Sequence, residues 1–232
     1  MKKYWFYLLL VVFIALILFP ISSTILRLAT VLSVILLWIS TLHLWWNRPL
    51  IRYLLGGVPF SFMILFMLPG QIFDMNQLRH AIVTTLKSFE GTAYVWGGEN
   101  EIGIDCSGLV RQGLIRANFR VGMQTFNGTL LRESLSLWWY DSSAKALRDE
   151  YHGKTRVLLK APSLNKLDHT QILPGDFAVT SNGIHSLAYL GNKTWIEADP
   201  GAGKVIIVQV PEKNIIWFDV PVYLMRWNQF NP

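Results

Sequence analysis

The sequence predicts an α+β domain, helices followed by an antiparallel sheet, behind an α-helical membrane region. Three observations predict it. Residues 1–70 are almost continuously apolar and hold the basic residues Lys2, Lys3, Arg27, Arg48 and Arg52 but no Asp or Glu. From Gln71 the pattern turns amphipathic with helical spacing. Further on, short β-branched and aromatic runs alternate with Gly, Asn and Pro turns.

The 232-residue chain is 52% hydrophobic and 16% charged, with mean hydropathy +0.33. That is too apolar for disorder. Its net charge is +6, and nearly all of that excess comes from the basic residues of segment 1–70. The remainder has no concentrated basic patch, so nucleic acid is not an expected partner. A single cysteine, Cys106, excludes an internal disulfide framework and a Cys-cluster zinc site. No cofactor or metal is expected.

Three apolar runs fill segment 1–70. Tyr4–Ile21 and Leu28–Trp46 are both near the usual length of a bilayer crossing. Tyr53–Leu68 is shorter and contains Gly56, Gly57 and Pro59. Tyr4, Trp5, Tyr7, Trp45 and Trp46 suit interface anchors. Lys2, Lys3, Arg48 and Arg52 favour the cytoplasmic side, so three spans place residues 71–232 outside. A re-entrant third run would keep them inside. A cleavable signal peptide is the alternative for the first run, but no A-x-A-like site follows it, and two apolar runs would remain after cleavage. Pro69-Gly70 marks the boundary between a membrane region, 1–70, and a second domain, 71–232.

In that domain Asn76 is a candidate cap for a helix with Leu78, Ile82, Leu86 and Phe89 on one face, ended by Gly91. Cys106–Ala117 reads as a second helix, with Asn118 as its stop. Thr129–Tyr151 reads as helical or mixed. Strands are expected at Phe177–Thr180, His185–Leu190, Thr194–Ala198, Lys204–Val210 and Val220–Trp227.

The lone cysteine sits in Gly103-Ile104-Asp105-Cys106-Ser107-Gly108-Leu109-Val110, where a glycine-punctuated loop enters the second helix. The sulfur then lies in the first helical turn, where free N–H groups and the positive end of the dipole favour a thiolate. The same N–H groups suit an oxyanion. Upstream, Ala93-Tyr94-Val95-Trp96-Gly97-Gly98 offers close backbone approach and a Tyr94 hydroxyl. A small apolar side chain packed behind the helix is the alternative role for Cys106.

Tyr-x-Trp-Gly-Gly followed by Asp-Cys-Ser-Gly-Leu-Val resembles the NlpC-type cell-wall peptidases, papain-like cysteine hydrolases of bacteria. The resemblance continues at Leu173-Pro174-Gly175-Asp176-Phe177 and at Gly183-Ile184-His185-Ser186-Leu187, over roughly residues 77–225. It implies a papain-like α+β fold, Cys106 as nucleophile and His185 as base. His43 lies in an apolar run, and His80, His152 and His169 are expected at the surface.

The family's third residue, usually a second histidine, falls twelve positions after the first, on Glu197. A carboxylate there can accept the imidazole Nδ1–H and favour the imidazolium. In an antiparallel hairpin, His185 and Glu197 share a face only if the loop has an odd count or a bulge repairs the register. A three-residue Gly191-Asn192-Lys193 loop satisfies this, and Asp199 has the same parity. Glu197 as a strand-end surface carboxylate is the plain alternative. In some family members the residues matching Asp105 and Ser107 help bind a substrate amine; helix capping is the equal alternative.

The resemblance implies hydrolysis of an amide bond in peptidoglycan stem peptides or muropeptides, of the D-γ-glutamyl–diamino acid type. Cys106 would attack, with the Cys106 N–H and Tyr94 holding the oxyanion, and the bilayer would be the other partner. Acyl transfer to or from lipid is a second reading, disfavoured because cysteine precedes histidine here. A non-catalytic wall-peptide-binding pseudoenzyme is a third. The interval from Cys106 to Pro174 is longer than the family's usual spacing. It holds Trp138, Trp139 and Tyr140, which suit a cap over the cleft, an aromatic wall or a packed outer helix.

Overall fold

A computed structural model describes residues 2–230. The side chains of Lys2 and Lys3, on which part of the sidedness expectation rests, lie outside the described residues.

Three apolar helices come first: α1 (Lys2–Leu18), α2 (Thr24–Leu44) and α3 (Pro49–Met67). Helices α2 and α3 are long and apolar enough to cross a membrane, and α1 is shorter. The short run has therefore changed place. Pro20 lacks the N–H that would continue α1, whereas Pro49 at the first helical position starts α3 ahead of the apolar run. Its 19 residues reach about 28 Å. Helix α1 lies antiparallel to α2, with Phe6 edge-on to Trp45 at 5.7 Å.

The helix α4 (Met75–Lys87) buries Leu78, Ile82 and Leu86, and Phe89 follows inside the core. Its cap is Asp74, which accepts from the Asn76 N–H at 2.8 Å, so the cap stands earlier than expected. The helix α5 (Cys106–Thr125) runs well past Asn118. Asn118 is no stop because its buried amide is satisfied by Gln229 in both directions, at 3.1 and 2.9 Å. Phe126, left-handed at φ 50°, ends the helix instead.

The long interval forms α6 (Gly128–Trp139), the short α7 (Ala144–Arg148) and the edge strand β1 (Thr155–Ala161). Strands β2 (Phe177–Thr180), β3 (Ser186–Gly191), β4 (Thr194–Asp199), β5 (Lys204–Gln209) and β6 (Val222–Trp227) complete an antiparallel sheet in the order β1-β6-β2-β3-β4-β5. The β1 strand was not among those expected. Helices α4 and α5 cover one face, with Ile196, Ala198 and Met225 beneath them. Leu164, Ile172 and Phe218 cover the other, over Trp195 and Leu224.

Helix α6 packs on α5 and α3. Trp138 lines an apolar cavity of about 710 Å³ with Phe66 of α3 and Phe119 of α5. The aromatic stretch thus takes the packed-helix option and faces the N-terminal helices. Asp176, fully buried, binds Arg226 through two hydrogen bonds of 2.8 and 2.6 Å and Arg79 at 3.3 Å, tying α4 to β6.

Candidate active site

Cys106 is the first residue of α5, and Asp105 is its cap. Asp105 Oδ1 accepts from the Gly108 N–H at 2.6 Å and the Ser107 hydroxyl at 3.0 Å. Its Oδ2 accepts from the Gly97 N–H at 2.8 Å. Both carboxylate oxygens are therefore engaged within the protein, which favours the capping role for Asp105 and Ser107. A Cβ on Gly98 would collide with the Gly103 carbonyl, and one on Gly108 with the Gly98 carbonyl. Only glycines let these two loops close on the start of the helix.

The sulfur lies 4.0 Å from the Ile184 carbonyl, beside the residue that precedes His185. His185 is 2% exposed and Glu197 fully buried, and His185 Nε2 meets Glu197 Oε2 at 2.6 Å. The ring is thus turned opposite to the expected Nδ1 contact, which leaves Nδ1 as the nitrogen for Cys106. Burial alone would lower the imidazole pKa. Contacts with Cys106 and Glu197 overcome that and raise it to about 9. Burial also raises the Glu197 pKa, against the opposing pull of His185. Glu197 Oε1 has no hydrogen-bond partner among the described residues. A carboxylate so desolvated holds its charge largely through the imidazolium.

The hairpin register explains the encounter. Gly191 pairs with Thr194 across a two-residue Asn192-Lys193 turn, with φ of 51° and 58°. That turn alone puts His185 and Glu197 on opposite faces. A bulge between Tyr189 and Gly191 shifts the pairing to Tyr189–Trp195 and Ala188–Ile196, which restores one face. Of the two routes to a shared face, the chain takes the bulge and not the three-residue loop. Asp199 has a different task. It accepts from the Gly201 and Ala202 N–H groups and, at 3.2 Å, from Trp217 Nε1.

Trp217, in a 3₁₀ turn (Ile216–Phe218), stacks on His185 at 4.4 Å and 19°. Sequence reasoning missed it; its position just after a polar turn gives no signal of that contact. Tyr94 is half-buried, and its hydroxyl pKa is pushed to about 12 by burial and by the charges of Cys106, Asp105 and Asp199. It therefore stays a proton donor.

The other histidines stand apart. His80 and His152 are exposed, and His152 stacks on Tyr140 at 4.3 Å. His169 is half-buried, contrary to the expected exposure. Its Nδ1 contacts the Leu167 carbonyl at 2.9 Å, and its Nε2 accepts from Trp195 Nε1 at 3.3 Å, an arrangement of the neutral ring. Burial lowers its pKa accordingly.

A model of the NlpC/P60 family matches residues 91–218, which include the glycine loop, Cys106, His185, Glu197 and Trp217. The chain belongs to the NlpC/P60 family. That family consists generally of cysteine peptidases and amidases. Among solved structures it is similar to NlpC1 from Trichomonas vaginalis, at 19% identity and TM-score 0.42, over 68% of this chain and 47% of that one. It is similar also to the peptidoglycan hydrolase RipB from Mycobacterium tuberculosis, at 21% identity and TM-score 0.38, over 65% of each chain. The NlpC/P60 domain of the peptidoglycan hydrolase SagA shares 21% identity at TM-score 0.38, over 63% of this chain and 97% of that domain. The chain spans about half the length of the two Trichomonas chains it matches. No curated protein matches it.

Proposed function

We propose that this chain is a membrane-anchored cysteine hydrolase that cleaves an amide bond in peptidoglycan stem peptides, of the D-γ-glutamyl–diamino acid type. The observation that carries the reading is the buried 2.6 Å contact of His185 with Glu197 beside a cysteine at a helix start. Cys106 is the nucleophile, His185 the proton carrier and Glu197 the group that orients the ring and favours its cation.

The imidazolium pairs with the Cys106 thiolate. The sulfur attacks the amide carbon, and the C–S bond forms as the carbonyl electrons move to oxygen. The Cys106 N–H at the helix start and the Tyr94 hydroxyl stabilise that oxyanion. His185 Nδ1 gives its proton to the amide nitrogen, the C–N bond breaks, and the amine leaves an acyl-enzyme. Neutral His185 then takes a proton from water, the hydroxide attacks the thioester, and the C–S bond breaks to regenerate the ion pair.

Residues 1–70 form the membrane region, and 71–232 the hydrolase domain. The α1–α2 loop and the end of α3 both meet the hydrolase domain, through Glu99 N–H to the Pro20 carbonyl and Arg132 to the Leu68 carbonyl. Arg48 and Arg52 lie at the opposite ends of these helices, on the cytoplasmic side by the positive-inside rule. The catalytic domain is then extracytoplasmic. The test is release of stem fragments from sacculi by the purified full chain. Release by wild type and none by Cys106→Ala is expected; equal release by both contradicts the reading.

A further inference from the structure

We propose that the loop joining α1 to α2, backed by Arg27, is a positioning element of the active site, so that the membrane region helps hold the nucleophile's helix in place. This rests on the hydrolase reading above. Three hydrogen bonds join that loop to the segment after Trp96. Ser22 N–H donates to the Gly97 carbonyl at 2.8 Å, Glu99 N–H to the Pro20 carbonyl at 2.9 Å, and Asn100 Nδ2 to the Phe19 carbonyl at 3.0 Å. From its other side the same segment grips the start of α5. Gly97 N–H donates to Asp105 Oδ2 at 2.8 Å, and Asp105 N–H donates to the Gly98 carbonyl at 3.1 Å. The two glycine peptides are thus clamped between the membrane-side loop and the residue that caps Cys106.

Arg27 locks the clamp. It is 3% exposed and lies in the first turn of α2. Its Nε donates to Ser22 Oγ at 3.0 Å, and its Nη1 to Asp141 Oδ1 at 2.8 Å and the Trp139 carbonyl at 3.0 Å. Its Nη2 pairs with Glu99 at 3.3 Å. Glu99 also binds Arg111 of α5, itself fully buried. Two guanidiniums and two carboxylates therefore alternate from the membrane helix to the catalytic helix. A buried arginine is tolerated only when so paired, and removing one partner leaves a buried charge. Asp141 and Trp139 come from the extended 119–172 interval, which gives that stretch a role: it supplies the dock for Arg27.

The experiment uses the full chain in detergent or nanodiscs, as wild type, Arg27→Gln, Arg27→Lys and Ser22→Pro. It reads kcat and KM per titrated active site, and the alkylation rate of Cys106 across pH. Arg27→Gln and Ser22→Pro are expected to lower kcat about tenfold, with KM within about twofold. Arg27→Lys, which keeps the charge, is expected to recover part of the loss. Unchanged kcat per titrated site overturns the proposal, as does a loss confined to the fraction of folded sites. If the wild type cleaves no stem peptide, the hydrolase reading fails, and the alkylation arm decides this one. A profile shared by wild type and Arg27→Gln overturns it; slower alkylation in the variant supports it.

Discussion

Helices α2 and α5 are nearly equal in length, 21 and 20 residues, and opposite in construction. Helix α5 buries Leu109, Val110 and Leu114 and packs against the core. Helix α2 buries only Arg27 and Ser33 and turns Ile25, Leu28, Leu32 and Ile35 outward. The difference agrees with the proposed membrane region. An outward apolar surface is costly in water and suited to lipid, where polar side chains turn to the interior. Each helix nonetheless buries one arginine, and both arginines end on Glu99. The inverted helix and the ordinary one are thus joined through a shared carboxylate beside the glycine loop.

The largest expected effect breaks the ordinary helix at its first residue. Cys106→Ala lowers kcat/KM by at least about 10³-fold while the full chain stays folded; steady-state kinetics and thermal unfolding check both. Lysine substitutions then compare the two helices directly. Leu109→Lys buries an unpaired cation in the core and costs about 3–5 kcal/mol, read as loss of folded protein. Ile35→Lys, on the outward face of α2, costs about 3 kcal/mol of membrane insertion. It lowers the membrane-integrated yield and leaves the hydrolase domain folded. Equal unfolding by both would erase the contrast between the helices.

Glu197→Gln sharpens the site itself. The imidazolium of His185 persists to about pH 9 in the wild type. Its raised pKa contributes stability that is complete below the unfolded value of about 6.5 and is lost as pH rises through about 9. Without the carboxylate, the alkaline limbs of kcat/KM and of stability move to lower pH by about one unit or more. A pH-rate profile and a pH series of thermal unfolding measure the two. Trp217→Phe gives the smallest change, a few-fold in kcat, because a smaller ring still covers the imidazole. Trp217→Ala gives more and shifts the alkaline limb with it.

Local patterns made much of this legible. Leu78, Ile82 and Leu86 showed one helix face, and the glycines around Cys106 showed the entry to α5. The strands from Phe177 onward carry enough β-branched residues and turns to be read singly. β1 was missed because Arg156 and Lys160 interrupt its pattern, as suits a strand at the sheet edge. The joining of His185 to Glu197 depended on a bulge near Leu190, which no residue type there requires. The contacts of Trp217 and Arg27 escaped notice for a different reason. Their partners lie far away along the chain, His185 for one and Glu99 for the other. Only the folded chain brings such pairs together.

The most direct measurement is acid quenching of the full chain during turnover of a defined stem peptide, followed by mass analysis of the fragment bearing Cys106. A thioester adduct equal in mass to the acyl half of the substrate, absent from His185→Ala, is the expected result. Turnover that proceeds with no adduct on that sulfur, and that survives its replacement by alanine, would contradict the account.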